Sequence, residues 1–269
     1  MMGLSLRTGF AALAFAFLAG AGALRAQSAD PAACKELAPS GHLRVGVYAG
    51  SPTSQVTDPE TKQNHGVTYD LGKDFAARLN VPVEYITFPR VADVIDAIKD
   101  GKVDFTVTNA TPARAKDINF SQILLIVELG YLVPANSPIT RPDQIDGPGI
   151  RIGVSKGGTS ERVLAEKYKN AKIISTASVP DAINSLRDGV FDVYATNKSI
   201  LFQMAQSLPG ARVLDGNWGA EHMAIAVPKG REAAQGLLDS FVRDVQSSGR
   251  LQQIETDAGL KGAVSAAKD

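Results

Sequence analysis

Residues 91–109 (VADVIDAIKDGKVDFTVTN) and 179–197 (VPDAINSLRDGVFDVYATN) carry one pattern twice, without a gap, at a spacing of 88 residues. Eight of the nineteen positions are identical, including the closing Thr-Asn of each copy. In the first copy Val91, Val94, Ile95 and Ile98 fall at i, i+3, i+4 and i+7, the apolar stripe of a helix. Gly101 stands where a left-handed residue ends a helix, and a β-branched run follows as a strand. A helix–strand unit written twice in one chain predicts two similar α/β lobes, and two lobes enclose a cleft.

A second element also recurs: Leu43-Arg44-Val45-Gly46-Val47 is echoed by Ile150-Arg151-Ile152-Gly153-Val154. Around these anchors the pattern predicts strands over 43–48, 81–88, 103–107, 124–133, 173–174 and 223–227. A loop or hairpin is expected over 49–66, and helices over 68–79, after Gly157-Gly158-Thr159, over 200–208, and over a last stretch ending near Gly249. Thr111-Pro112 reads as a further helix start, with Thr as N-cap and Pro at N1. Residues 27–41 read as an irregular leading segment. Strands alternating with helices give an α/β protein with two lobes, each a mainly parallel sheet flanked by helices. The chain is expected to run through lobe 1 (41–132), lobe 2 (133–221) and back to lobe 1 (222–269). Its two crossings, near 129–133 and 220–227, form the hinge.

Composition excludes several classes. Lys+Arg and Asp+Glu both number 28, so no bulk field recruits nucleic acid or an anionic membrane. One cysteine and three histidines leave no structural zinc set and no internal disulfide; no cofactor is expected. Residues 1–26 read as a secretory signal peptide: Arg7, an apolar run over 10–23 too short to span a bilayer, then small residues up to Ala26. This predicts export to the periplasm and a slightly acidic mature chain. Cys34 lies too far past the run to be a lipoprotein cysteine. His42, His65 and His222 form no triad, and no nucleophile elbow, zinc-protease or dinucleotide fingerprint is present. The repeated Asp100, Asp104, Asp188 and Asp192 fit helix caps and turns better than an acid/base pair.

Ligands of open α/β sheets bind beyond the carboxyl ends of the strands, where Thr108-Asn109 and Thr196-Asn197 fall, one pair per lobe. Turn chemistry is the other use of such residues. Thr111 begins a segment whose Arg114 offers a permanently charged planar fork suited to a carboxylate; a salt bridge to Asp117 or Asp104 is the plainer alternative. Gly157-Gly158-Thr159-Ser160 places hydroxyls and unpaired N–H groups at a helix start in the other lobe.

Taken together, these motifs resemble bacterial extracellular solute-binding proteins of family 3, the polar-amino-acid type. Gly66-Val67-Thr68-Tyr69-Asp70-Leu71, Asp100-Gly101-Lys102-Val103-Asp104, Thr111-Pro112-Ala113-Arg114-Ala115-Lys116, Asn119-Phe120-Ser121 and Ser248-Gly249-Arg250-Leu251 carry the likeness beside those above. The resemblance implies a monomeric periplasmic receptor, not an enzyme, that closes on a small solute and delivers it to an ABC permease. It assigns Arg114 and Thr159 to a ligand α-carboxylate; Ser160, Thr108 and Asn109 are expected beside them from their places at the helix start and strand end. Asn197 falls where family members place an Asp for the α-ammonium, and Tyr48 near another usual acid. The ligand expected is therefore a small carboxylate-bearing solute, an amino acid or related organic acid. Glu128, Asp215 and Glu221 are the candidates to replace the missing acid. The alternative is a periplasmic cyclohexadienyl dehydratase-like enzyme on the same scaffold, with Glu221 or His222 as its general acid.

Overall fold

A computed structural model describes residues 31–264. The signal-peptide reading of residues 1–26 lies outside them. The chain opens with α1 (Pro31–Leu37), β1 (Leu43–Tyr48), the small hairpin β2 (Val56–Thr57) and β3 (Asn64–His65), and α2 (Val67–Leu79). Then come β4 (Val83–Phe88), α3 (Val91–Lys99), β5 (Thr106–Asn109) and β6 (Ile118–Val133). The second half holds β7 (Arg151–Ser155), α4 (Thr159–Lys167), β8 (Lys172–Thr176), α5 (Val179–Arg187), β9 (Val193–Asn197), α6 (Lys198–Gln206) and β10 (Arg212–Val213). It closes with β11 (Gly219–Pro228), α7 (Gln235–Ser247), α8 (Arg250–Asp257) and β12 (Ala263–Val264).

Two parallel cores are joined by two long antiparallel strands. β1 pairs with β4 and bridges to Phe105 just before β5; β7 pairs with β8 and β9. β6 and β11 pair antiparallel from Gly219–Leu129 to Pro228–Ile118, and β6 continues on to β9. These are the two predicted crossings. In the first lobe Phe75, Phe105 and Phe241 bury against β1, while Ala97, Ile98 and Ile118 close the opposite face. In the second, Val193 and Ala195 enter one buried cluster and Tyr194 the other, as the two-residue period of a strand covered on both faces requires.

The repeat folds as the pattern predicts: α3 and α5 are both nine residues long, and Gly101 and Gly189 both take φ +66°. Each copy also ties to the other recurring element through one aspartate. Asp104 accepts from the Arg44 backbone N–H at 3.2 Å, from Nε at 2.7 Å and from Nη2 at 2.8 Å. Asp192 takes the same three groups of Arg151 at 2.9, 3.1 and 2.7 Å. Asp104 also receives Arg231 Nη2 at 2.6 Å, which pins the returning chain after β11 to the first lobe. Asp100 and Asp188 sit at the helix C-caps.

Three expectations need correction. The helix read at Thr111-Pro112 is a single 3-10 turn, Arg114–Lys116. The β-favouring Ile118 and Phe120 draw the chain at once into β6, where β11 pairs with them, so β6 starts six residues before the predicted strand. The strand read at 103–107 begins only at Thr106, because the backbone of Asp104 and Phe105 bonds to the Arg44 carbonyl instead. The leading segment is not wholly irregular: Ala33 and Leu37, one helical turn apart, bury α1 against the first core.

Candidate functional site

Both ends of both repeats line one cavity. Arg90 and Val91 at the head of α3, with Thr108 and Asn109 at the end of β5, face Ser178 and Val179 at the head of α5, with Thr196 and Asn197 at the end of β9. Tyr48, Arg114, Ser155, Gly158, Thr159, Ser160, Glu221 and Met223 complete the wall. The cavity measures about 40 Å³. Of the residues expected to hold the solute, Tyr48, Thr108, Asn109, Arg114, Thr159, Ser160 and Asn197 line it and Thr111 does not. Thr111 lines an outer groove of about 410 Å³ that shares Arg114, Gly158 and Thr159 with the cavity, and its hydroxyl accepts the Arg114 backbone N–H at 3.3 Å.

Arg114 forms no ion pair among the described residues. The plainer alternative fails because its partners are taken: Asp117 pairs with Lys99 at 2.9 Å, and Asp104 is held by Arg44 and Arg231. One guanidinium nitrogen, Nη1, donates to Thr108 Oγ1 at 2.8 Å and to the Asn109 carbonyl at 3.1 Å. These two bonds orient the fork and leave its other N–H groups free of side-chain or backbone partners among the described residues. Burial pulls the Arg114 pKa down from its ordinary value, with the Glu221 carboxylate acting the other way. Because the segment is one 3-10 turn, it adds no helix dipole of its own beside Arg114; the guanidinium carries the positive charge there. On the opposite wall α4 presents the start of a nine-residue helix, Gly158 as its N-cap and Thr159 and Ser160 in its first turn.

Asn197 does two jobs. Its Oδ1 accepts the Ile200 backbone N–H at 3.1 Å, capping α6, and its Nδ2 donates to Glu221 Oε2 at 2.9 Å. An amide here therefore brings a carboxylate with it, supplied by β11. The other two replacement candidates are elsewhere: Glu128 is bound by Lys198 at 2.6 Å and Asn217 at 2.7 Å, and neither it nor the exposed Asp215 lines the cavity. Asn109 Oδ1 takes the His222 backbone N–H at 2.9 Å, and its Nδ2 donates to Thr159 Oγ1 at 3.2 Å, linking the two walls. The Tyr48 phenol is pushed up by burial, with its bond to Ser51 acting the other way. Arg90 and Ser178 were missed from the sequence. Their signal was position: each directly precedes a copy of the repeat.

Two α/β lobes joined by two crossing strands, with a polar cavity of opposed charge between them, define a solute-binding protein. The chain belongs to the bacterial extracellular solute-binding proteins, family 3, whose sequence profile matches residues 43–258. It is similar to the ABC transporter glutamine-binding protein GlnH of Bacillus subtilis (strain 168), at 24% identity over 213 residues, 78% of each chain. Among solved structures it is similar to a solute receptor for L-cysteine of Neisseria gonorrhoeae, with TM-score 0.74, 26% identity, and 84% of this chain and 92% of that one covered. It also shares the fold of an ancestral amino acid-binding protein described as a precursor of cyclohexadienyl dehydratase, with TM-score 0.73, 23% identity, and 83% and 98% covered. No helix among the described residues is long and apolar enough to cross a membrane.

Proposed function

We propose that this protein is a periplasmic receptor that closes its lobes on a small zwitterionic amino acid and presents it to an ABC importer. One observation carries the reading: a single cavity is lined by Arg114 and the start of α4 and also by a carboxylate, Glu221, held by Asn197. The Arg114 fork, the Thr159 hydroxyl and the N–H groups opening α4 take the α-carboxylate. Glu221 takes the α-ammonium, whose burial without a carboxylate is strongly disfavoured. Glu221 is the reason to include the ammonium. The outer groove beside Arg114 and Thr159 is the route of access when the lobes part. In this reading the lobes divide at 132/133 and 221/222, so the crossings of β6 and β11 serve as hinge. The dehydratase alternative loses support, because Glu221 is engaged by Asn197 and His222 is exposed, outside the cavity wall.

A thermal-shift panel tests this directly. At a hundredfold excess over Kd, a bound solute adds about 2.7 kcal/mol, or a rise in Tm of about 5–10 °C for a chain of this size. Small α-amino acids are expected to give that shift, and the matching 2-keto acids, which lack the ammonium, to give none. Glu221→Gln is expected to abolish the amino-acid shift; equal shifts from keto and amino acids with native Glu221 would defeat the assignment.

Closure has its own test. Two glycines sit in close contact across the lobes: a Cβ on Gly157 would stand 2.5 Å from the Ala92 Cβ, and one on Gly50 3.1 Å from Val179. Ala92→Trp enlarges α3 at that contact without straining its backbone. It is expected to weaken binding by roughly 5- to 150-fold, the scale of overpacking a tight contact. Small-angle scattering is expected to show no compaction of this variant on adding solute; compaction equal to that of the native protein would rule out this contact as the closing surface.

A further inference from the structure

Arg90 and Ser178 occupy the same place in the two lobes. Each precedes a copy of the repeat, each is the N-cap of its helix, and each lines the cavity. Ser178 does the work expected of an N-cap, its Oγ accepting the Asp181 backbone N–H at 3.2 Å. Arg90 makes no side-chain cap, so α3 forgoes the stabilisation that serine provides in α5. A cation at a helix N-terminus also opposes the helix dipole. Asp93 offsets part of this through an ion pair to Nη2 at 2.8 Å. Arg90 Nε, however, is buried and has no hydrogen-bond partner among the described residues. A buried, charged N–H without an acceptor is penalised unless something else supplies one. Arg114 and Glu221 account for the two charges of a zwitterion and leave this donor over, on the wall of the same cavity.

We propose that Arg90 is a specificity-determining residue that donates to an acceptor oxygen on the solute's side chain. The solutes are then amino acids with a side chain ending in a carboxylate or carboxamide. The assignment rests on the zwitterion reading of the site. It breaks the symmetry of the repeat for function: lobe 2 keeps the structural serine, and lobe 1 trades it for a reader.

Calorimetric titration of the mature protein with aspartate, asparagine and 2-aminobutyrate, which has no side-chain acceptor, tests the proposal. The native protein is expected to prefer the acceptor-bearing solutes. Arg90→Ser is expected to weaken their binding by roughly 10- to 150-fold, the value of a hydrogen bond to a charged donor, and to leave 2-aminobutyrate nearly unchanged. Its unliganded Tm is expected at or above that of the native protein, because serine restores the cap. Arg90→Lys keeps the charge but lacks the Nε–H at that point and is expected to show the same selective loss. A uniform change across the three solutes, or none, overturns the role of Arg90 while leaving the zwitterion site standing. Failure of the native protein to bind any of the three overturns both.

Discussion

Arg114→Ala is expected to weaken solute binding by about 30- to 5,000-fold, with equilibrium titration as the measurement. Truncating one partner of a buried, hydrogen-bonded charge pair typically removes about 2–5 kcal/mol. Arg114 is placed for such a loss: oriented by Thr108 and the Asn109 carbonyl, and without an ion pair among the described residues. Arg114→Lys keeps the charge but not the planar fork, and is expected to fall between alanine and the native protein. The unliganded alanine variant is expected to fold at least as stably, because a desolvated cation without an ionic partner opposes folding. Native-like affinity in the alanine variant would place the carboxylate site elsewhere.

The largest effect on stability is expected at Asp104. Asp104→Ala should lower unfolding free energy by about 3–5 kcal/mol, measured by urea denaturation, because it strands Arg231 and part of Arg44 without their shared carboxylate. Its counterpart sets the contrast. Asp104 is 0% exposed, whereas Asp192 and Arg151 retain 36% and 39% side-chain exposure. Asp192→Ala should therefore change stability by only about 0–1 kcal/mol. Comparable losses at the two sites would refute burial as the deciding factor.

The pH dependence follows from the sign of the shift. Burial raises the Asp104 pKa, but the hydrogen bonds and charges of Arg44 and Arg231 outweigh it and hold the carboxyl below its ordinary value. The unfolded chain protonates it near about 3.9. Its contribution is therefore complete above that value and is lost as pH falls through the lower folded pKa. The stability gap between native protein and Asp104→Ala is expected to hold above about pH 4 and to narrow below it.

The paired helix–strand units, their glycine stops and the two crossings were legible because each follows from a local period or from residues a few positions apart. The family likeness placed Arg114 and Thr159 at the site on short contiguous motifs. What stayed hidden was set by pairing across the chain. The 3-10 turn after Thr111 is decided by β11 claiming Ile118 from 110 residues away. The Arg44–Asp104 pair could not be told from a helix cap, since it spans 60 residues.

The acid that joins Asn197 is the clearest case. The sequence alone predicted two lobes, a polar cleft and a carboxylate reader, and offered Glu128, Asp215 and Glu221 as candidates for the acid. The register of β11 on β6 decides among them: Glu221 lies opposite Val127, and Ala220 opposite Glu128. Directly opposed residues share a face and successive ones alternate, so Glu221 and Glu128 leave opposite faces of the sheet. Glu221 reaches the cavity and Glu128 is held by Lys198 and Asn217. A slip of one residue would put both on one face, and no local pattern in either strand specifies that register.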